Sequence, residues 1–268
     1  MHREITREVR SKFTPMFLFL WVLTIIALIS FAVYRSKSWD FRDPLEYFTF
    51  ILNGALPITF PIIAVLIYVA SFSGEVKDRF LVYTRIRRPI METVYMKLAA
   101  NIILTSLFFF GIIFISYLFA WYIEPHMNIA NYDPTGFGLT EENIAEDTYN
   151  RYTFSQLIRY GTTTYIILYS LWVSINAALY SSISFFLVLL IRNRFVALSL
   201  PYITYIISSL TLASLGWPAY RPSFALFPFD YQQSPIWTAF VPFLVLVFIL
   251  VCLLFYVKQN ASRVGKLT

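Results

Sequence analysis

Residues 15–34 read PMFLFLWVLTIIALISFAVY and contain no Asp, Glu, Lys, Arg or His. A helix rising 1.5 Å per residue needs about 17–25 such residues to cross the ~30 Å hydrocarbon core of a bilayer. Because apolar residues do not alternate with period two, the pattern favours helices over strands. The sequence therefore predicts an all-α polytopic membrane protein. Its six expected transmembrane helices are 15–34, 47–73, 98–123, 163–191, 195–214 and 236–257.

The composition agrees with a chain that lies mostly in the bilayer. Hydrophobic residues make up 58% of the sequence and charged residues 13%, whereas about a quarter of a soluble domain is charged. Six spans and their short connections use most of the 268 residues, so we expect one transmembrane domain over 1–268. The only cysteine, Cys252, falls inside the last span. Neither an internal disulfide nor a metal site is predicted.

The distribution of basic residues predicts the orientation. With the N-terminus inside, the cytoplasmic segments hold 15 of the 21 Lys and Arg, and the net charge is about +10 inside and −4 outside. Such a bias in short loops places both termini in the cytoplasm, with 124–160 and 215–235 extracellular. We expect a multi-pass protein of the plasma membrane, of bacterial origin. Membrane orientation explains the basic charge, so no nucleic-acid partner is predicted.

The segment before the first span, 2–14, carries Ile5, Val9 and Phe13 at spacings of four, with basic residues over the remaining surface. This pattern predicts a basic amphipathic helix that lies in the inner headgroup layer and contacts membrane lipid. An ordinary positive-inside anchor is the alternative. Glu8 and Lys12 are spaced i,i+4 and would stabilise that helix only slightly.

The segment 75–97, between the second and third expected spans, is the only inner connection long enough to fold. It places apolar residues among six bases, which suits docking on another protein. Arg88 precedes Pro89 and is biased out of the α region, whereas Pro89 can open a helix. The segment therefore predicts a helix, a break and a second helix that continues into the third span.

In this segment the chain resembles the permease subunits of ABC-2 type transporters, the exporter-like class of ATP-binding-cassette systems. Glu75, the apolar stretch 80–83, the basic stretch 85–89 and Lys97 follow the order that is typical of that family's coupling region. The resemblance extends to the N-terminal helix, the six spans and the aromatic segment 216–235. It implies a cytoplasmic coupling helix, and the residues assigned to ATPase coupling are Glu75, Arg79, Phe80, Tyr83, Arg85, Arg87 and Arg88.

A phosphate-binding loop is missing from the chain. The one Gly-Lys pair, Gly265-Lys266, is followed by Leu267, so the G-x-x-x-x-G-K-[ST] pattern fails. We therefore expect that the chain is not an enzyme and holds no cofactor. The resemblance implies that ATP and Mg are bound by a separate ABC-type ATPase subunit. It also implies a second permease subunit, either another copy or a paralogue.

The expected spans contain no Asp, Glu, Lys, Arg or His, which disfavours an ion-coupled carrier and a membrane hydrolase. Polar and aromatic side chains in the spans could line a path for an amphiphilic or apolar substrate, such as a peptide, a lipid-linked molecule or a drug. Helix packing is the alternative for each of them. The candidates for this path are Asn53, Asn101, Tyr165, Tyr169, Trp172 and Asn176.

The sequence leaves two hypotheses about function open. The first is a membrane-spanning permease subunit that exports its substrate when a separate ATPase subunit drives it. The second is a non-transporting membrane anchor or sensor subunit of a signalling complex, which would use the same basic segment for docking. The outer segment 124–160 is longer than in the family pattern and is rich in carboxylates, but the EF-hand spacing for calcium is absent, so a solvated face is expected.

Overall fold

The computed structural model describes residues 2–78, 89–140, 142–229 and 233–260. A π-helical turn, Phe119–Ile123, continues the long helix Ile90–Leu118 into the short helix Glu124–Met127, and short 3₁₀ turns lie at Thr135–Phe137, Ser155–Tyr160 and Pro218–Tyr220. In chain order the helices are α1 (His2–Lys12), α2 (Pro15–Ser36), α3 (Pro44–Leu52), α4 (Leu56–Lys77), α5 (Ile90–Leu118), α6 (Glu124–Met127), α7 (Ile144–Arg151), α8 (Thr162–Leu190), α9 (Arg194–Ser214), α10 (Pro222–Leu226) and α11 (Trp237–Gln259).

Six of the described helices are long and apolar enough to cross a membrane, namely α2, α4, α5 with its continuation to Met127, α8, α9 and α11. This confirms the expected all-α polytopic architecture with six candidate spans. Four of these spans, α2, α8, α9 and α11, begin and end within two residues of the bounds expected from charge-free runs.

The second expected span, 47–73, is in fact two helices. The helix α3 ends at Leu52, and α4 begins at Leu56 and runs on to Lys77. The break contains Asn53 and Gly54, two residues with weak helix preference, and Pro57 in the first turn of α4 lacks the N–H that an uninterrupted helix would use. Charge-free sequence alone cannot reveal such a break, because both helices are apolar.

The third span begins at Ile90, eight residues before the charge-free run starts. Pro89 was expected to be the first helical residue, but its backbone is extended and it lies one residue before the helix. The continuation of this helix into the third span agrees with the sequence. The helix includes Glu92 and Lys97, which lie outside the predicted span. The expected coupling helix falls largely on 79–88, which lies outside the described residues.

The fourth span, α8, is the centre of the bundle. Its most apolar stretch of 18 residues is 83% buried, against 17%, 22% and 11% for α2, α9 and α11. The neighbours of α8 are α4, α5, α9 and α11. The outward-facing helices α2, α9 and α11 therefore form most of the surface that a bilayer would contact.

The buried residues form two hydrophobic clusters, one toward each end of the bundle. One cluster contains Val76, Ile90 and Val257, and Val9 packs at its edge. The helix α1 and the C-terminal end of α11 therefore lie on the same side of the bundle. This side is named the terminal end. The opposite side, which carries α3, α7 and α10, is named the loop end.

The loop end is a folded layer. Two-residue strands, β1 (Asp40–Phe41) and β2 (Asn131–Tyr132), pair in parallel with Phe41 opposite Tyr132. After Pro222 the chain turns back into the bundle, and the aromatic rings of Phe224, Phe227 and Phe229 are buried. These three phenylalanines of segment 216–235 are thus buried, whereas Trp217 in the same segment is exposed.

Candidate functional site

A cluster of charged side chains joins α1, α4 and α5 at the terminal end. The Glu75 carboxylate accepts hydrogen bonds from Lys12 Nζ at 2.5 Å and from Lys97 Nζ at 2.6 Å. Lys97 Nζ also donates to Glu8 Oε1 at 2.9 Å, and the Tyr68 hydroxyl donates to the same oxygen at 2.9 Å. These five residues are named the terminal charge network.

Helical spacing brings the five side chains together. Glu8 and Lys12 lie one turn apart on α1, and Tyr68 and Glu75 lie two turns apart on α4, so each pair shares a helix face. Lys97 lies two turns into α5 on its buried face. Three separate elements therefore contribute to the network, and each presents its charges at the same level of the bundle.

Burial makes the pairing of Lys97 essential. Its side chain is only 3% exposed, and an isolated ammonium group at such a position would be strongly disfavoured. The two carboxylates that contact it and the ammonium of Lys12 give a network of two acids and two bases. Removing one partner of such a network leaves an uncompensated buried charge, which costs more than the pairing itself contributes.

The N-terminal helix faces the bundle with its charged as well as its apolar side. Glu8, Val9 and Lys12 are partly buried, whereas Arg7 and Arg10 are exposed. The apolar stripe expected to contact lipid is therefore divided, because Val9 packs on the terminal cluster and Phe13 is 44% exposed. This arrangement leaves the exposed arginines of α1 on its outer surface.

One of the seven coupling residues expected from the resemblance, Glu75, lies in the network. The chain leaves the described part after Asp78, three residues beyond Glu75, and re-enters it at Pro89, eight residues before Lys97. The network therefore flanks both ends of the basic connection. The remaining expected residues, Arg79, Phe80, Tyr83, Arg85, Arg87 and Arg88, lie outside the described residues.

Sequence reasoning missed the interhelical role of Glu8, Lys12 and Tyr68. The i,i+4 pair on α1 was expected to stabilise that helix alone, but both side chains bond to other helices. The positions of the charged residues in the sequence could have indicated this network. Glu75 and Lys97 stand at the ends of two expected spans and require partners of opposite charge, and Glu8 and Lys12 are such partners on the segment next to them.

The aromatic path candidates lie on one face of α8 and are packed against the loop end. The rings of Tyr165 and Tyr169 are stacked, with centroids 5.8 Å apart. The Tyr169 hydroxyl donates to the carbonyl of Leu226 at 2.8 Å, and Trp172 Nε1 donates to the carbonyl of Ala225 at 2.8 Å. In this conformation the aromatic face of α8 holds the returning segment after Pro222 in place.

The three amide candidates are not brought together. Asn101 is fully buried and accepts a hydrogen bond from Ser181 Oγ at 2.7 Å, while its Nδ2 has no partner among the described residues. Asn176 Nδ2 donates to the carbonyl of Trp172, one turn earlier on α8. Asn53 is exposed at the end of α3 and borders a cavity of about 200 Å³ at the loop end.

A second set of ion pairs fixes the loop-end layer. The Arg151 guanidinium donates to Asp43 Oδ1 at 2.8 Å and also pairs with Asp147. Burial lowers the pKa of the Arg151 guanidinium, but the two carboxylates raise it by more, so its pKa lies above the ordinary value. Asp43 also caps α3 by accepting from the backbone N–H of Glu46. Sequence reasoning placed Arg151 and Asp147 on a solvated face and missed this pairing.

In the part of the chain that the structure describes, no group of three or more His, Cys, Asp or Glu side chains is arranged to hold a metal ion. Comparisons with family models, with curated proteins and with solved structures find no match to this chain.

Proposed function

We propose that this chain is the membrane-spanning permease subunit of an ATP-binding-cassette exporter and that a separate ATPase subunit drives it. The observation that carries the proposal is the terminal charge network, in which Glu75 bonds to Lys12 on α1 and to Lys97 on α5. An element that receives force from outside the membrane must pass it to several spans at once. A paired charge cluster that joins three helices would transmit displacement as one unit.

The position of the network supports docking from the terminal side. The connection 79–88 contains four arginines and lies in the sequence between Glu75 and Lys97, two members of the network. A basic surface suits a partner with complementary acidic groups, and complementary charge increases the association rate and fixes the register of docking. In this proposal the partner binds ATP and Mg, its closure displaces 79–88, and the displacement reaches α1, α4 and α5 through Glu75.

The outer surfaces support the remaining elements of the proposal. The faces of α2, α9 and α11 are broad and apolar, which suits contact with lipid and with a second permease subunit. The helix α1, with its exposed arginines, would rest on anionic lipid headgroups at the cytoplasmic surface. An apolar or amphiphilic substrate needs no charged group in the spans, and the aromatic and amide side chains of α5 and α8, together with Asn53 at the end of α3, remain the candidates for its path.

Copurification of ATPase activity tests the proposal. The tagged full-length chain, expressed in its native membrane and solubilised in mild detergent, should retain ATP hydrolysis that vanadate inhibits. The double variant Arg87→Glu with Arg88→Glu should lose at least 90% of that hydrolysis, because charge reversal opposes docking. Lys258→Glu is the matched control, since Lys258 is an exposed base on α11 at the same end.

Two results would contradict the proposal. One is the absence of vanadate-sensitive hydrolysis from the purified wild-type complex. The other is hydrolysis by the isolated chain, because the proposal assigns every ATP-binding group to a partner.

A second candidate function, a membrane anchor or sensor subunit without transport, is favoured by one observation. The aromatic face of α8 is packed against the returning segment, with Tyr169 and Trp172 bonded to its carbonyls, so transport requires these contacts to part. An anchor requires no such opening. Transport of a fluorescent amphiphile into sealed vesicles that contain the purified complex separates the two functions, because an anchor gives no ATP-dependent uptake.

A further inference from the structure

A cavity of about 710 Å³ lies between α9 and α11, with α8 behind it. A narrower extension of about 170 Å³ continues from it toward the terminal end, past Pro201 and Leu253. The two spaces share lining residues and form one cleft. Six residues represent its walls: Tyr180, Thr204, Ser208, Val241, Val245 and Ile249.

The two helices beside the cleft each contain a proline. Pro201 in α9 and Pro242 in α11 both border the cleft. A proline inside a helix removes one backbone hydrogen bond and bends the helix away from a straight course. Bends at these two prolines would hold α9 and α11 apart where both pack on α8, and neighbouring side chains do not fill the space between them.

The walls of the cleft offer no unsatisfied hydroxyl donor from α9. Thr204 Oγ1 is within 3.0 Å of the carbonyls of Leu200 and Pro201, and Ser208 Oγ donates to the carbonyl of Thr204 at 2.6 Å. The Tyr205 hydroxyl donates to the carbonyl of Pro57. Apart from the Tyr180 ring and hydroxyl on α8, the lining within the span is hydrocarbon and internally bonded hydroxyl, which suits an occupant that is apolar along most of its length.

The mouth of the cleft lies at the level of an aromatic belt. Trp217 and Tyr220 border its loop end, and the ring of Tyr220 packs against Trp237 at a centroid distance of 5.9 Å. Trp217 and Trp237 are 59% and 58% exposed. Exposed tryptophans at the ends of spans prefer the headgroup level of a bilayer. The wide part of the cleft thus begins just below the headgroups of the leaflet at the loop end.

The dimensions select the kind of occupant. The lining extends from Val241 to Leu253 on α11 and from Leu200 to Leu212 on α9, about 18 Å in each case. This length is close to one leaflet, about half of a ~30 Å hydrocarbon core. A spanning helix about 10 Å wide and 30 Å long would fill about 2,400 Å³, far more than the cleft provides. Water is excluded because apolar cavities remain dry.

We propose that the cleft between α9 and α11 binds one acyl chain of a bilayer phospholipid, whose headgroup stays at the level of Trp217 and Tyr220. The chain enters sideways from the leaflet, because Val245 and Ile249 are 53% and 39% exposed along the open side of the cleft. Its methylene groups supply the dispersion contacts that the lining residues otherwise lack. The site does not depend on the proposed coupling to an ATPase, and its test uses this chain alone.

Lipid retention tests the site. The full-length chain is reconstituted in nanodiscs of phosphatidylcholine, extracted into detergent, washed and examined by native mass spectrometry. The wild-type chain should retain one phosphatidylcholine. Ser208→Trp places an indole in the cleft and should reduce retention about tenfold. Ile207→Trp is the matched control. Ile207 is next to Ser208 in the chain, but its side chain is 58% exposed and lies outside the cleft lining, so this variant should retain the lipid.

Photo-crosslinking gives a readout that does not depend on a variant. Phosphatidylcholine with a diazirine in one acyl chain should label Thr204, Ser208 and Ile249 in the wild-type chain at least fivefold more than the outward residues Leu244 and Phe248. Equal labelling of both sets would show ordinary surrounding lipid and overturn the proposal. Equal retention by the two tryptophan variants, or none by the wild-type chain, would overturn it as well.

Discussion

Lys97 shows how a single residue can shift the end of a span. The charge-free run places the beginning of the third span at residue 98, because an ammonium group in hydrocarbon is costly. The structure continues the helix back to Ile90, since Glu8 and Glu75 neutralise the Lys97 charge from two other helices. That information lies 89 and 22 residues away along the chain, where no local pattern can show it.

Replacing Lys97 with methionine should destabilise the protein by about 3–5 kcal/mol, because the Glu8 carboxylate then loses its buried cation and Glu75 keeps only its bond to Lys12. Lys12→Met is the matched control. The Lys12 side chain is 25% exposed, so its loss should cost about 1 kcal/mol or less. Thermal unfolding in detergent, followed by tryptophan fluorescence, measures both variants. Similar shifts in the two melting temperatures would contradict the assigned role of Lys97.

Tyr152 gives the loop end an alkaline pH dependence. Burial raises its pKa to about 12, although the Thr49 hydroxyl and the Arg151 charge act in the opposite direction. A tyrosine whose pKa is higher in the folded than in the unfolded chain stabilises the fold fully below about pH 10. This contribution is lost as the pH rises toward 12.

The fall in melting temperature between pH 9 and pH 11.5 should therefore be smaller in Tyr152→Phe than in the wild-type chain, because phenylalanine cannot ionise. Tyr160→Phe serves as the control, since Tyr160 is 72% exposed. Equal pH dependence in the wild-type chain and in both variants would show that ionisation of Tyr152 does not contribute.

At the scale of elements, the contact between α2 and α5 depends on one glycine. A Cβ added at Gly111 would lie 2.3 Å from Cζ2 of Trp21. The indole cannot easily move away, since its Nε1 donates to the carbonyl of Phe108 at 3.0 Å. Gly111 thus allows the first span to approach the bundle closely, as small residues commonly do between membrane helices.

Gly111→Ala should destabilise the protein by about 1–3 kcal/mol through overpacking against Trp21. Gly74→Ala in α4 is the matched control, because a Cβ there meets nothing within 4 Å. In that open position alanine should stabilise the helix by about 0.5–1 kcal/mol. Melting temperatures should move in opposite directions for the two variants. A rise for Gly111→Ala would mean that α2 is not held at this contact.

The accuracy with which the sequence predicts the bounds of a helix depends on which residues terminate that helix. Four of the six spans were predicted to within two residues, because charged or interfacial residues end them and the hydrocarbon thickness sets their length. The break at Asn53 was missed, since it separates two apolar helices and only tertiary packing distinguishes them. The resemblance assigned Glu75 to ATPase coupling, which stays a prediction. Its bond to Lys12 on α1 was missed, because it depends on how two non-adjacent segments meet in space.

At the scale of the whole molecule, the distribution of burial bears on where a substrate would pass. The central helix α8 is 83% buried in its apolar stretch, whereas α2, α9 and α11 expose most of theirs. A passage through the middle of one chain would require α8 to lose its packing. A passage between two permease subunits would require only that outward faces of two chains meet, which costs less rearrangement of the core.

We therefore expect two permease-sized subunits in the functional complex. In a Cys252→Ala background, Ile26→Cys on α2 and Ile207→Cys on α9 introduce thiols at positions 55% and 58% exposed, and oxidation in membranes should give a disulfide-linked dimer for at least one of them. Ala32→Cys, 2% exposed, should stay monomeric. If the second subunit is a paralogue, neither variant links to itself, but light scattering still gives the mass of two such subunits. A mass equal to one permease-sized subunit would contradict the expectation, because a single chain would then have to open around α8.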